Sequence, residues 1–279
     1  MEKKETNKEV KASLPIIDCL GKGATIDQYI GDTADLSRYL KSRAARHQCF
    51  RHYCKEDSLL SILKRKTLIL TDGSKWNDLK DRTRFNSDTG DRINFGISFS
   101  FSQSENVAMW LLYADHARRG GVLKLSRFDL KKMMNNKPSL VITNRERSIV
   151  KEKELNSSDY ETTLIDVLYC SKPNSKDLVH VSHLGDKVVT IDNDIIKPLE
   201  KATKNEPWRY ENECRLIVSV KKDAIPQSFE GKCCVSFPLH SDTIKKFNQK
   251  VFKAPNYETG KPLDSYTFSS LHEEIDCNW

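Results

Sequence analysis

Apolar and polar positions along the chain alternate with two periods, and each change of period marks an element. From Asp27 to Arg46 the apolar spacing is near-helical and broken at Gly31-Asp32, which predicts one or two short helices, a lid or a docking element. CFRHYC, Cys49 to Cys54, reads as a short aromatic-rich strand. In the following KEDSLLSILKRKTL, Leu59, Leu60, Ile62 and Leu63 form a helical stripe. Glu56 and Asp57 lie at its start and Lys64, Arg65 and Lys66 at its end, which suits the helix dipole. A strand through Leu68 to Leu70 comes next, then a polar loop from Asp72 to Arg92, of a length that is usually functional or mobile.

Ile93 to Ser102, INFGISFSFS, alternates with period two and is predicted as a strand. SENVAMWLLYADHARR is predicted as a helix capped by Ser104, with a stripe of Val107, Trp110, Leu111 and Ala114. Gly120-Gly121 ends it and opens the strand VLKLS. A short amphipathic FDLKKMM and a strand PSLVITN lead to RERSIVKEKELNSSDYETT, which is helical or irregular on pattern alone. Strands are expected at DVLYC, KVVTI, RLIVSV and CCVSF, and a last helix at SDTIKKFNQKVF. With helices gathered early and strands late, the expectation is an α+β fold with a mixed or antiparallel sheet flanked by helices.

Composition narrows the function classes. Of the 279 residues, 38% are apolar and 30% charged, which implies a modest core under much polar surface. The expected division is a tail and helical segment over residues 1–48 and a single α+β domain over 49–279. The first dozen residues are too rich in Lys and Glu to order themselves. No apolar run reaches the roughly 20 residues of a membrane span and no secretory signal opens the chain, so a cytoplasmic protein with free thiols is expected. Cys233 and Cys234 alternate across a strand, and His180 and His183 fill only half a metal shell, so no metal is expected. Phosphate-loop, dinucleotide-loop and GxSxG patterns are absent, which weakens kinase, Rossmann and serine-hydrolase readings. The formal charge of +7 fits an anionic partner, either nucleic acid or a phosphate-bearing cofactor, and equally fits plain solubility.

Three stretches carry candidate chemistry. His52 and Tyr53, preceded by Arg51, turn to opposite faces of the first strand. Ser98, Ser100 and Ser102 share one face of the next long strand, opposite Phe99 and Phe101. In WRYENECRLIV, period two puts Glu211, Glu213 and Arg215 on one face and Tyr210, Cys214, Leu216 and Val218 on the other. Two strand rises would set the glutamates about 7 Å apart. Like charges at that spacing are solvated on an edge strand, paired with Arg215, or used.

Taken in order, HY before the LLSIL helix, the WNDLKD turn, SFS before MW..YA, and W.YE.E.R near the end resemble a widespread bacterial family of domains of unknown function related to the ADP-ribosyltransferase fold. The resemblance runs from about Phe50 to about Val220. It implies a split sheet and NAD as substrate, with His52 holding a ribose and the Ser98–Ser100 strand supporting the nicotinamide ribose. Glu213 would be the catalytic carboxylate and Glu211 a second acid. Tyr53, Trp110 and Tyr113 are alternatives for the ring that stacks on nicotinamide, Arg51 and Arg215 would neutralise the pyrophosphate, and Trp208 and Tyr210 would flank the cleft. The sequence departs from the superfamily in lacking a Ser-Thr-Ser and a motif-placed stacking tyrosine. The implied activity is ADP-ribosyl transfer or NAD hydrolysis in bacterial toxin or antiviral-defence settings, with a protein or nucleic-acid acceptor and a regulatory or antitoxin partner. The alternative is a non-enzymatic module on the same fold that binds nucleic acid or another partner through Lys64-Arg65-Lys66, Arg118-Arg119 and Lys131-Lys132.

Overall fold

The computed structural model describes residues 33–74, 76, 78–85, 90–102, 106–114, 120–144, 148–170, 179–184, 187–191, 193–239 and 251–253. In chain order the elements begin with α1 (Thr33–Ala44), β1 (Cys49–Lys55), α2 (Glu56–Arg65), β2 (Thr67–Leu70) and α3 (Leu79–Phe85). Next come β3 (Arg92–Ser100), α4 (Val107–Tyr113), β4 (Gly120–Ser126), α5 (Arg127–Met134), β5 (Ser139–Thr143) and β6 (Ile149–Glu154). The remainder are β7 (Tyr160–Asp166), β8 (Leu168–Cys170), β9 (Val179–Leu184), β10 (Lys187–Ile191), α6 (Asn193–Ile196), β11 (Thr203–Asn205), β12 (Glu213–Lys221), β13 (Cys234–Pro238) and β14 (Val251–Lys253).

The fold is α+β, with antiparallel sheets flanked by helices. A six-stranded sheet in the order β14-β4-β1-β3-β12-β7 forms its middle. Two four-stranded sheets, β2-β13-β5-β6 and β10-β9-β8-β11, accompany it, and among the described strands β8 and β11 pair in parallel.

Period two along β3 and β12 builds two different faces. On one, Phe95, Ile97 and Phe99 lie beside Val218, Leu216 and Cys214 and join the main core with Phe50, Cys54, Leu123 and Leu125. Helices α2 and α5 and the sheet around β13 cover that face through Leu59, Ile62, Leu63, Leu130, Met133, Val235 and Phe237. The opposite face is divided. Toward β7, Ile165 and Ile217 pack with Leu36 and Leu40 of α1, Phe85 of α3, and Leu168, Leu199 and Ala202. Toward β4, Tyr53 and Val122 pack with Met109, Trp110 and Ala114 at α4. Between these two apolar patches the same face carries Arg51, Ser98, Ser100, Glu213 and Arg215, all in cross-strand register.

Several local expectations change. The stretch read as a polar loop from Asp72 contains α3, whose buried residues are Asp81, Arg84 and Phe85, so its inward face gives no apolar period. The stretch read as helical or irregular contains β6 and most of β7. Helix α4 is capped by the Asn106 side chain, which accepts from the Ala108 N–H at 2.9 Å, and Leu111 faces outward. Ser104 and Arg118-Arg119 lie outside the described residues, as does most of the expected final helix. Its last two residues, Val251 and Phe252, pair with β4 as part of β14. Strands are spread along the chain instead of gathering late.

Candidate functional site

The segment WRYENEC is not one strand. Glu206–Glu211 forms a 3-10 helical turn, Asn212 takes a left-handed conformation with φ 44°, and β12 starts at Glu213. Asparagine is among the few side chains that tolerate that conformation, because its short amide can bond locally. Glu211 thus does not share a strand face with Glu213; the reversal at Asn212 brings the two carboxylates onto a common cation instead. That cation is Lys204, from β11 just before the turn. Its Nζ donates to Glu211 Oε2 at 2.6 Å and to Glu213 Oε2 at 3.3 Å, and lies 4.8 Å from the Trp208 ring centroid.

Arg215, fully buried, closes the other side. Its Nε donates to Glu213 Oε1 at 2.7 Å, its Nη2 to Asp81 Oδ2 at 2.6 Å and its Nη1 to the Lys201 carbonyl at 2.8 Å. The guanidinium also sits over the Trp76 ring, 4.8 Å from its centroid. Ser98 Oγ donates to Glu213 Oε1, and the Glu213 N–H donates to the Tyr169 hydroxyl at 2.8 Å. Tyr113, from α4, donates to Glu211 Oε1 at 2.5 Å.

Three acids and two bases therefore share one buried volume, and their environments separate them. Burial, reinforced by the charge of Glu213, pushes the Glu211 carboxyl up to about 7. Burial acts the same way on Glu213, but Arg215 and Lys204 outweigh it and hold that carboxylate well below its ordinary value. For Arg215 and Lys204 burial disfavours charge, yet the facing carboxylates raise both above their ordinary values. Burial raises Asp81 and, together with Glu211, raises Tyr113, which keeps the phenol a donor. Two glutamates two residues apart thus differ in kind: Glu213 is a fixed anion and Glu211 a group that exchanges a proton near neutrality.

Glu211, Glu213, Ser98, Arg215 and Tyr113 are brought into one cluster by direct bonds. Ser100 lies between Arg51 and Glu213 in register, with its hydroxyl buried and unbonded among the described residues. Arg51 donates from Nη1 to the Ser102 carbonyl, and Tyr53 meets Trp110 edge-on at 5.3 Å on the same face. His52 is the exception. Strand alternation turns it to the main-core face, where its ring meets Phe99 edge-on at 6.0 Å and Nδ1–H donates to the Ser98 carbonyl at 3.0 Å. Burial lowers its pKa. A ribose-holding role beside Glu213 does not fit that position, and on this strand Arg51 and Tyr53 face the cluster. Comparison with protein-family models, with curated proteins and with solved structures yields no match for this chain.

Lys204, Asp81, Tyr169 and Trp76 also belong to the cluster and are not among the candidates the sequence offers. Two of these had a signal, since Trp76 and Asp81 begin and end the WNDLKD turn. Lys204 had only its position four residues before Trp208. Among the described residues no group of three or more His, Cys, Asp or Glu side chains is arranged to hold a metal ion, and no helix is long and apolar enough to cross a membrane. The side chains of His180 and His183 lie outside the described residues.

Proposed function

We propose that this protein is an NAD-dependent ADP-ribosyltransferase or NAD glycohydrolase, related to the bacterial domain-of-unknown-function family it resembles and serving in toxin-type or defence roles. The observation that carries the reading is the row Arg51, Ser100, Glu213 across three adjacent strands, with Glu211 held beside it by a shared lysine. The resemblance implies such an order: a basic residue on the first strand, a serine on the second and a glutamate on a late strand. In this reading Arg51, not His52, takes the first-strand role.

Cleavage of the bond between nicotinamide and ribose passes through an oxocarbenium-like state, as glycoside cleavage does. A carboxylate that stays ionised supplies the opposite charge when that state forms, and Glu213 is such a group. Its hydrogen bonds to Ser98 and Arg215 fix the direction of that charge before the substrate arrives. Glu211 is suited to receive the proton of the acceptor, whether water, a protein side chain or a nucleic acid, because its pKa lies near the working pH. Tyr113 and Lys204 orient it.

The test is consumption of NAD and release of nicotinamide by the purified full chain, alone and with added protein or nucleic-acid acceptors. Glu213→Gln is expected to lose about 100-fold or more of the turnover, the scale of removing a preorganised electrostatic contact, while keeping a native circular-dichroism spectrum. Turnover undiminished in that variant sinks the assignment of Glu213. Absence of both NAD binding and turnover in the wild-type chain, with each acceptor, makes the cluster a structural tie between two cores.

A further inference from the structure

On the side of the central sheet away from the charged cluster, a second feature stands apart from the site. Helices α2 and α5 both pack on the main core, and both end at the same place. The Lys66 carbonyl, at the end of α2, accepts from the Leu239 N–H at 2.8 Å, and Asn136, just past α5, donates from its side chain to the Pro238 carbonyl at 2.9 Å. The basic last turns of two helices distant in sequence are thereby joined into one surface. Lys64 and Lys66 are exposed on the first, and Lys131 with the half-buried Lys132 lies on the second.

One helical turn back from these lysines lie Arg127 and Phe128, at i−4 from Lys131 and Lys132. Phe128 is 66% exposed, and the Lys132 ammonium lies 5.2 Å from its ring centroid. A phenylalanine so exposed on a helix whose Leu130 and Met133 are buried and whose Met134 is partly buried against the core is not serving the core. Of the described acids on these two helices, Glu56 and Asp57 sit in the opposite, first turn of α2, and Asp129 is buried and bonded to Ser126.

We infer that this surface, formed by Lys64, Lys66, Arg127, Phe128, Lys131 and Lys132, binds single-stranded nucleic acid, with the cations along the phosphates and Phe128 against a base. Cations track a phosphodiester backbone whatever its sequence, and an exposed ring beside them is the feature that distinguishes a strand with free bases from any other polyanion. The inference stands independently of the NAD reading, since none of these residues belongs to the cluster around Glu213.

The experiment is fluorescence anisotropy of the full chain with labelled 20-nucleotide oligouridine RNA and oligothymidine DNA over a series of salt concentrations. Binding is expected to weaken linearly on a log–log plot. The triple variant Lys64→Glu/Lys66→Glu/Lys131→Glu should lower the slope by about 2, at roughly 0.7 per lost phosphate contact on a single strand. Phe128→Ala should weaken binding about tenfold and leave the slope unchanged, because stacking releases no counterion. A triple Lys→Gln variant, with native circular dichroism, separates loss of charge from disturbed folding. No binding at about 50 mM salt, or a slope the triple variants do not alter, overturns the inference. So does equal affinity for anionic phosphatidylserine vesicles together with indifference to Phe128→Ala.

Discussion

Glu211 and Glu213 have the same chemistry and adjacent addresses, and what separates them is the number of cations each meets. Glu213 lies between Lys204 and Arg215, whereas Glu211 meets Lys204 and the neutral phenol of Tyr113. The difference has a sign that can be measured. The Glu211 carboxyl is raised by folding from an ordinary 4.5 to about 7, so the folded state binds more protons than the unfolded chain between those values. Its contribution to stability is fully present below pH 4.5 and is lost as the pH rises toward 7. Glu213 runs the other way: its lowered pKa contributes stability above pH 4.5 that is lost on acidification. Urea denaturation at several pH values is therefore expected to show a decline between pH 4.5 and 7 that is flattened in Glu211→Gln, while the loss below pH 4.5 persists. An unchanged decline in that variant would assign the titration to another group. At this scale the sequence revealed the charged residues of β12, because strand alternation fixes which side chains share a face. It could not pair Asp81, visible only as the end of the WNDLKD turn, with Arg215, which lies 134 positions away and becomes its partner only through packing.

Among the elements, α3 explains why part of the site was not legible. Its seven residues, LKDRTRF, turn two charged side chains and one ring inward, and Leu79 is 71% exposed. A helix that buries charge carries the reverse of the apolar pattern by which helices are found. Likewise β6, IVKEKE, has no buried residue and hence no apolar face to betray it. What holds α3 in place is Phe85, which tilts against Trp76 with centroids 4.4 Å apart and fills the space over Gly96 of β3. A Cβ built on Gly96 would stand 2.6 Å from the Phe85 ring. Gly96→Ala is thus expected to cost about 1–3 kcal/mol in equilibrium unfolding. It should also displace Asp81 from Arg215. A stability within a few tenths of wild type would mean that the ring moves aside at little cost. The turn at Asn212 is hidden in the sequence for a different reason: ENEC alternates well enough for a strand, and only the left-handed residue breaks it.

For the molecule as a whole, the arrangement is a sheet with one apolar face and one face on which charge is held between two apolar patches. Helix α1, which from sequence is a candidate lid, is part of the patch toward β7, where Leu36 and Leu40 are completely buried, and its Ala44 is buried in the main core. Leu40→Ala is expected to lower global stability by about 2–5 kcal/mol, measured by chemical denaturation. A loss below about 1 kcal/mol would mean that α1 detaches easily and covers the sheet only loosely. The charge held on the second face also bears on the heat of unfolding. Two cations facing three carboxylates leave one negative charge unmatched, and near neutrality a proton on Glu211 supplies the match. When the cluster opens in water, that carboxyl returns to its ordinary acidity. Between pH 4.5 and 7 each unfolding molecule then gives up to about one proton to the solvent from this group, and the enthalpy recorded by a calorimeter depends on which buffer receives it.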